Sequence, residues 1–153
     1  MITIGLTTFK EHPALVQNAK PDVTLPEYAA VLPTVELDTP FYGIPRESTV
    51  INWQKQVPEN FQFILKANKL MTKHDIGQDA VSDEDRKRAF YEYHRMVRPL
   101  VHAHQLKTVL FQFPPFFQRT TENLQWLFEI RDQMADLPLS LIHISEPTRH
   151  AQI

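Results

Sequence analysis

Short apolar runs alternate with longer amphipathic stretches along this chain. Runs rich in β-branched and aromatic residues predict four strands, at residues 2–6, 34–37, 61–66 and 108–113. The stretches between them have the spacing of amphipathic helices. Because strand and helix alternate four times, the pattern predicts right-handed βαβ units on a parallel sheet, with the helices packed outside.

Helix starts are marked by capping residues. Thr24 with Glu27 forms a capping box that opens a first helix reaching about Leu32, and Ser82 before three acidic residues opens a third. Ser48 is the predicted cap of the second helix, and Thr120 or Thr121 opens the fourth. On this fourth helix the residues expected to be buried are Leu124, Leu127, Phe128 and Met134.

Four β–α units are about half of an eightfold barrel, which takes ~250 residues. The predicted fold class is therefore α/β: the N-terminal half of a TIM-like (β/α)8 barrel, with four parallel strands alternating with helices. A complete four-stranded open sheet is the alternative. The three glycines, Gly5, Gly43 and Gly77, allow neither a GxGxxG turn nor a P-loop, so the barrel is favoured over a nucleotide-binding open sheet.

Composition narrows the function classes. With 42% hydrophobic residues, the 153-residue chain can bury a core. Sixteen basic against 18 acidic residues give a charge of −2, so no overall field attracts nucleic acid or an anionic membrane. The absence of cysteine excludes thiolate chemistry and sulfur-ligated zinc. No signal peptide or membrane span is recognisable, so a cytoplasmic location is expected.

The end of the chain has an unusual sequence. Residues 139–149 read LSLIHISEPTR, and all eleven resemble the translation of a transposon-type sequencing adaptor. We therefore expect residues 1–138 to be a partial barrel domain and residues 139–153 to be a non-native tail that does not act as a fifth strand. The alternative is a natural strand at residues 139–144, followed by a turn at Pro147.

Four separated stretches have a distinctive sequence. They read ITIGLTTF, VLPTVELDTPFYGIPRESTVINW, VPENFQFILKANKLMTKH, and LKTVLFQFPPFF followed by TTENLQWL. In this order they resemble the domain of unknown function 72 family, the YecE-like proteins, from Met1 to about Pro138. The resemblance implies a bacterial, cytoplasmic TIM-like barrel of about twice this length, without an established activity. Many members carry a different string at Leu37-Asp38-Thr39-Pro40, so the resemblance assigns Asp38 no role.

Polar residues inside apolar strands are the candidates for chemistry, because the carboxyl ends of barrel strands converge on the active face. They are Glu36, Lys66 and Gln112. Glu36 fits a general base, and Lys66 fits a cation for phosphate or carboxylate. A structural ion pair between Glu36 and Lys66 is the alternative. Gln112 can orient a substrate or water, or serve as a structural amide.

The loops that follow the strands supply candidate ligand-binding residues. These are Phe41, Tyr42, Lys69, His74 and Phe116. Aromatic rings beside cations suit a sugar, a base or a phosphorylated ligand, although a purely structural aromatic rim is the alternative. His12 and His74 could join Glu36 around a metal, but no spacing supports it. The sequence therefore predicts no metal site and identifies no cofactor.

These residues support two functions for the full-length form. The first is a hydrolase or lyase acting on a phosphorylated or nucleic-acid-like substrate, with Glu36 as base and Lys66 as electrostatic stabiliser. The alternative is a protein that binds nucleic acid or a phosphorylated ligand without catalysis. The 153-residue fragment itself is expected to be inactive. No membrane and no obligate protein partner is predicted.

Overall fold

Strands and helices alternate through the computed structural model, which describes residues 2–16, 22–74 and 81–143. The strands are β1 (Leu6–Thr7), β2 (Thr34–Leu37), β3 (Gln62–Lys66), β4 (Leu106–Phe113) and β5 (Leu139–His143). The helices are α1 (Leu25–Ala29), α2 (Thr39–Tyr42), α3 (Glu47–Gln54), α4 (Asp83–His102) and α5 (Thr121–Gln133). A short 3-10 helix lies at Pro13–Leu15.

The strands form one parallel sheet in the order β1-β2-β3-β4-β5. Strands adjacent in the sequence are adjacent in the sheet, whereas a doubly wound sheet reverses its order at a switch point. The predicted α/β class is confirmed, with the strand order expected for the N-terminal half of a TIM-like barrel.

The number of strands differs from the prediction. Residues 139–143 pair with β4 in parallel, from Val109 opposite Leu139 to Phe113 opposite His143. The expectation that this segment does not act as a fifth strand is therefore wrong. The exposed edge of β4 offers unpaired N–H and C=O groups, and a short apolar segment can pair with such an edge through its backbone alone. Strand β1 is also shorter and later than predicted, with Ile2 and Ile4 exposed.

Side chains alternate between the two faces of the sheet. Val35 and Leu37 of β2 and Phe63 and Leu65 of β3 are buried in the hydrophobic core. On the opposite face, which is the interior face of a barrel, Glu36, Ile64 and Lys66 are half-buried. Glu36 and Lys66 therefore project away from the core that the helices cover.

Helix α4 anchors the end of β3. The hydroxyl of the fully buried Tyr93 donates to the carbonyls of Leu65 at 3.3 Å and Lys66 at 3.1 Å.

None of the described helices is long and apolar enough to cross a membrane.

Helix α5 buries less than its pattern predicts. Met134, just after α5, is buried, but Leu124 is 40% exposed and Phe128 is 63% exposed. The prediction that these two residues are buried is wrong, because helical spacing marks which side chains form an apolar face and not what covers that face.

The N-terminus of α4 is capped as predicted. The Ser82 hydroxyl accepts a hydrogen bond from the Asp85 N–H at 3.1 Å, and the Asp85 carboxylate accepts from the Ser82 N–H. Ser48, the predicted cap of the second helix, lies inside α3, which begins at Glu47. That prediction is wrong, because the helix starts earlier than expected: Arg46, whose backbone is extended, occupies the N-cap position.

The two serines provide a matched test of this capping. We expect Ser82→Ala to lower the free energy of unfolding by about 1 kcal/mol, because it leaves the Asp85 N–H in the first turn without its acceptor. Ser48→Ala should change it by less than about 0.5 kcal/mol, since this exposed serine caps nothing. Urea unfolding followed by circular dichroism measures both. Equal losses in the two variants would contradict the assignment of Ser82 as the cap.

Candidate functional site

The carboxyl ends of β2 and β3 bring two of the predicted residues onto one face. Glu36 pairs with Ile64, and Lys66 lies two residues further along β3, so both side chains project from the interior face. Lys66 is one layer closer to the carboxyl edge than Glu36. In a parallel barrel this edge is where the loops gather around a substrate.

Lys66 is held between a carboxylate and an aromatic ring. Its Nζ lies 3.9 Å from Asp38 Oδ2 and 4.8 Å from the centre of the Phe41 ring, and its side chain is 16% exposed. The predicted structural pair joined Lys66 to Glu36. Among the described residues the ion pair instead joins Lys66 to Asp38, because Asp38 lies at the same layer as Lys66 and Glu36 lies one layer below.

Glu36 is in a setting that favours its neutral form. Burial is the largest cause that raises the pKa of Glu36; the neighbouring Asp38 carboxylate raises it further, and Lys66 opposes the shift. Glu36 also lines a cavity of about 220 Å³ with Thr34, Ile64 and Lys107, and Lys66 is not among the residues that line this cavity. A carboxyl group with a raised pKa can take up and release a proton closer to neutral pH than an ordinary glutamate.

An aromatic cluster covers Lys66. The Phe41 ring meets the rings of Tyr42 and His74 edge to face, with centres 5.1 and 4.9 Å apart. His74 Nδ1 lies 2.8 Å from the Thr72 hydroxyl oxygen. The structure therefore brings three of the predicted ligand-binding residues to the same place as Lys66.

Helix α2, which follows β2, is joined to the loop after β3 by hydrogen bonds to its carbonyl groups. The buried Asn68 amide donates to the carbonyls of Pro40 at 2.8 Å and Phe41 at 3.3 Å. The Lys69 N–H donates to the Phe41 carbonyl at 3.1 Å, while the Lys69 side chain is exposed at the rim. These hydrogen bonds hold the backbone of Phe41, whose ring lies over Lys66, so Asn68 helps to position the site. Asn68 was not among the predicted site residues.

Two predicted residues lie apart from this cluster. Gln112 is half-buried on the interior face near the end of β4, and no described residue hydrogen-bonds its side chain. Phe116 is 53% exposed in the loop after β4 and stacks on no described aromatic ring. The structure thus brings Lys66, Phe41, Tyr42 and His74 together, with Lys69 at the rim and Glu36 one layer below on the interior face.

Asp38 and Thr8 are polar residues of this edge that were not among the predicted site residues. Each has a buried side-chain oxygen, Asp38 Oδ1 and Thr8 Oγ1, that no described residue hydrogen-bonds. Asp38 stands two residues after Glu36, and this strand-like spacing is the sequence signal that could have identified it, although β2 itself ends at Leu37. No group of three His, Asp or Glu side chains in the described residues is arranged to hold a metal ion.

Comparisons with known proteins identify relatives of this chain. Residues 3–144 match the family described as "Protein of unknown function DUF72". The UPF0759 protein YunF of Bacillus subtilis (strain 168) is 36% identical over 142 residues, which are 92% of this chain and 50% of that protein. A DUF72 family protein from Enterococcus faecalis V583 has a solved structure with a TM-score of 0.80 and 37% identity, covering 92% of this chain and 50% of that one.

A further solved structure, of a DUF72 family protein from Thermotoga maritima MSB8, has a TM-score of 0.70 and 25% identity, and covers 94% of this chain and 55% of that one. The chain therefore spans about half the length of the relatives it matches.

Proposed function

This chain belongs to the DUF72 family, and we propose that in a protein of its relatives' length it forms half of the active site of a hydrolase or lyase that acts on a small phosphorylated or nucleic-acid-like substrate. Lys66 binds the anionic group, and Glu36 moves the proton.

One observation carries this proposal. Lys66, 16% exposed, lies at the carboxyl edge of β3, and the half-buried Glu36 lies one layer below it on the same interior face of the neighbouring strand β2. The Phe41 ring and Asp38 hold the Lys66 ammonium in place, where it can meet an anion that enters from the open side. The raised pKa of Glu36 supplies a group suited to general acid–base chemistry beside that anion.

Binding without catalysis is the second candidate. Tyr42, the last residue of α2, is 74% exposed, and Phe116, in the loop after β4, is 53% exposed. Exposed rings at the rim are suited to stack on bases or sugars of a nucleic-acid-like ligand. Turnover separates the two candidates, because a dedicated binder shows Lys66-dependent affinity with no product.

Replacement of Lys66 tests the anion subsite in the 153-residue chain, because Lys66 and its two contacts, Asp38 and Phe41, all lie in this chain. We expect Lys66→Ala to weaken the binding of inorganic phosphate by about tenfold or more, because a charge-assisted hydrogen bond is lost. The free energy of unfolding should change by no more than about 1 kcal/mol, because the ion pair with Asp38 is long and partly exposed. Isothermal titration calorimetry and urea unfolding measure the two quantities.

The matched control is Lys55→Ala, which removes an exposed lysine at the end of α3. This variant should bind phosphate like the unmodified chain. If Lys66→Ala lowered stability by several kcal/mol while phosphate affinity stayed the same, Lys66 would be a structural cation and the proposed function would fail.

A further inference from the structure

We propose that Asp38 is a further ligand-binding residue. Lys66 binds the anionic group of the ligand, and Asp38 Oδ1 accepts a hydrogen bond from a hydroxyl group of the same ligand. The inference rests on the proposed function and names its substrate class: a phosphorylated molecule that carries hydroxyl groups near the phosphate, such as a sugar phosphate or a nucleotide.

The two oxygens of Asp38 have different surroundings. Oδ2 lies 3.9 Å from Lys66 Nζ, but Oδ1 is buried and no described residue donates a hydrogen bond to it. Asp38 precedes α2, yet its side chain makes no capping hydrogen bond there. No interaction within the described residues therefore explains why Asp38 Oδ1 is buried. A buried acceptor without a hydrogen bond lowers the stability of a fold.

A second unused oxygen lies at the end of the neighbouring strand. Thr8 Oγ1 is buried without a hydrogen-bond partner among the described residues, and its backbone N–H donates to the Glu36 carbonyl at 2.8 Å. Thr8 adopts a φ of 59°, a left-handed conformation that is strained for a β-branched residue. Strain and unsatisfied polar atoms cluster at functional sites because a ligand, and not the fold, uses the groups.

Together these groups specify the chemistry of the ligand. The Lys66 ammonium selects an anion, while Asp38 Oδ1 selects a hydrogen-bond donor and repels a second anion. Inorganic phosphate satisfies only Lys66. A phosphate ester with hydroxyl groups on adjacent carbons satisfies Lys66 and Asp38 at once, and Thr8 Oγ1 can donate to or accept from a second hydroxyl group.

The test compares two probes on the 153-residue chain and its variants by calorimetry: inorganic phosphate and ribose 5-phosphate. In the unmodified chain we expect ribose 5-phosphate to bind about tenfold more tightly. Asp38→Ala should abolish this advantage while raising the affinity for inorganic phosphate by about threefold, because the carboxylate no longer competes for Lys66. Asp38→Asn, which keeps an acceptor oxygen, should raise phosphate affinity similarly but retain part of the advantage.

Asp132→Asn, at an exposed position of α5, is the control and should change neither affinity. If Asp38→Ala raised the affinity for both probes by the same factor, Asp38 would only neutralise Lys66. The inference would then fail while the anion subsite survived. If phosphate binding were equal in the unmodified chain and in Lys66→Ala, the proposed function would fail, and this inference with it.

Discussion

Replacing Glu36 by glutamine is expected to lower the turnover number of the full-length protein by about 100-fold or more on a phosphorylated substrate. General acid–base catalysis by one positioned group contributes typically 10²- to 10⁴-fold. The glutamine keeps the size and the hydrogen-bonding capacity of Glu36 but cannot take up a proton. The exposed Glu129 on α5 is the matched control, and Glu129→Gln should leave turnover unchanged.

The pH dependence identifies the role of the group. If Glu36 is the base, the turnover number rises as pH rises through the raised pKa of Glu36, which lies above the ordinary value of 4.5. This acidic limb should be absent from the residual activity of Glu36→Gln. Its persistence in the variant would assign the proton transfer to another group, and unchanged turnover would exclude Glu36 as a catalytic residue.

Stability should move in the opposite direction to activity. Because burial raises the pKa of Glu36 in the folded chain, the unfolded chain binds fewer protons between the two pKa values, and stability falls as pH rises through this window. At pH 7 the carboxylate therefore opposes folding, and Glu36→Gln should unfold at a higher urea concentration. A purely structural Glu36 would give the reverse order, with stability lost and activity kept.

Local signals predicted the elements that local interactions form. The Ser82 capping box could be predicted from the sequence because its donors and acceptors lie within three residues of one another. Strand β3 could be predicted from its run of apolar residues. The ion-pair partner of Lys66 could not be predicted from the sequence. It depends on whether Glu36 or Asp38 lies at the same level of the sheet as Lys66. A resemblance to the family could not decide this either, since Asp38 lies where the sequence departs from the pattern.

The sequence predicted the burial of a side chain correctly only where it also predicted the element that covers that side chain. Phe63 and Leu65 are buried because helices lie over that face of the sheet. Phe128 has the same apolar character, but no described element covers it. Strand β5 differs in the opposite way, because its residues were expected to lie outside the sheet but pair with β4. Any extended segment can supply the backbone groups that pair with a strand edge.

Although the family match extends to residue 144, we propose that residues 139–153 are a non-native tail, and the genomic reading frame beyond codon 138 tests this directly. Pairing through the backbone does not identify the origin of a segment. A continuous genomic reading frame that encodes LSLIHISEPTR would show that the tail is native and that the adaptor interpretation is wrong.

We expect the 153-residue chain to associate with copies of itself at micromolar concentration. Within the described residues, the outer edges of β1 and β5 pair with no further strand. Apolar side chains near β5 also lack cover: Leu141 is 58% exposed, Ile142 is 43% exposed and Leu124 is 40% exposed. At ~25 cal/mol per Å², several hundred Å² of uncovered apolar surface forfeits on the order of 10 kcal/mol, comparable with the ~5–15 kcal/mol that stabilises a whole domain.

Light scattering after size exclusion measures this association, and one substitution on the edge strand tests its location. Ile142→Lys places a charge on the interior face of β5, where natural sheets use lysine to block pairing between edges, so it should shift the chain towards the monomer. Val31→Lys removes a residue that is 50% exposed beside α1, far from β5 in sequence and in sheet order, and should leave association unchanged. A monodisperse monomer of the unmodified chain with one cooperative thermal transition would show that these edges and apolar faces need no partner.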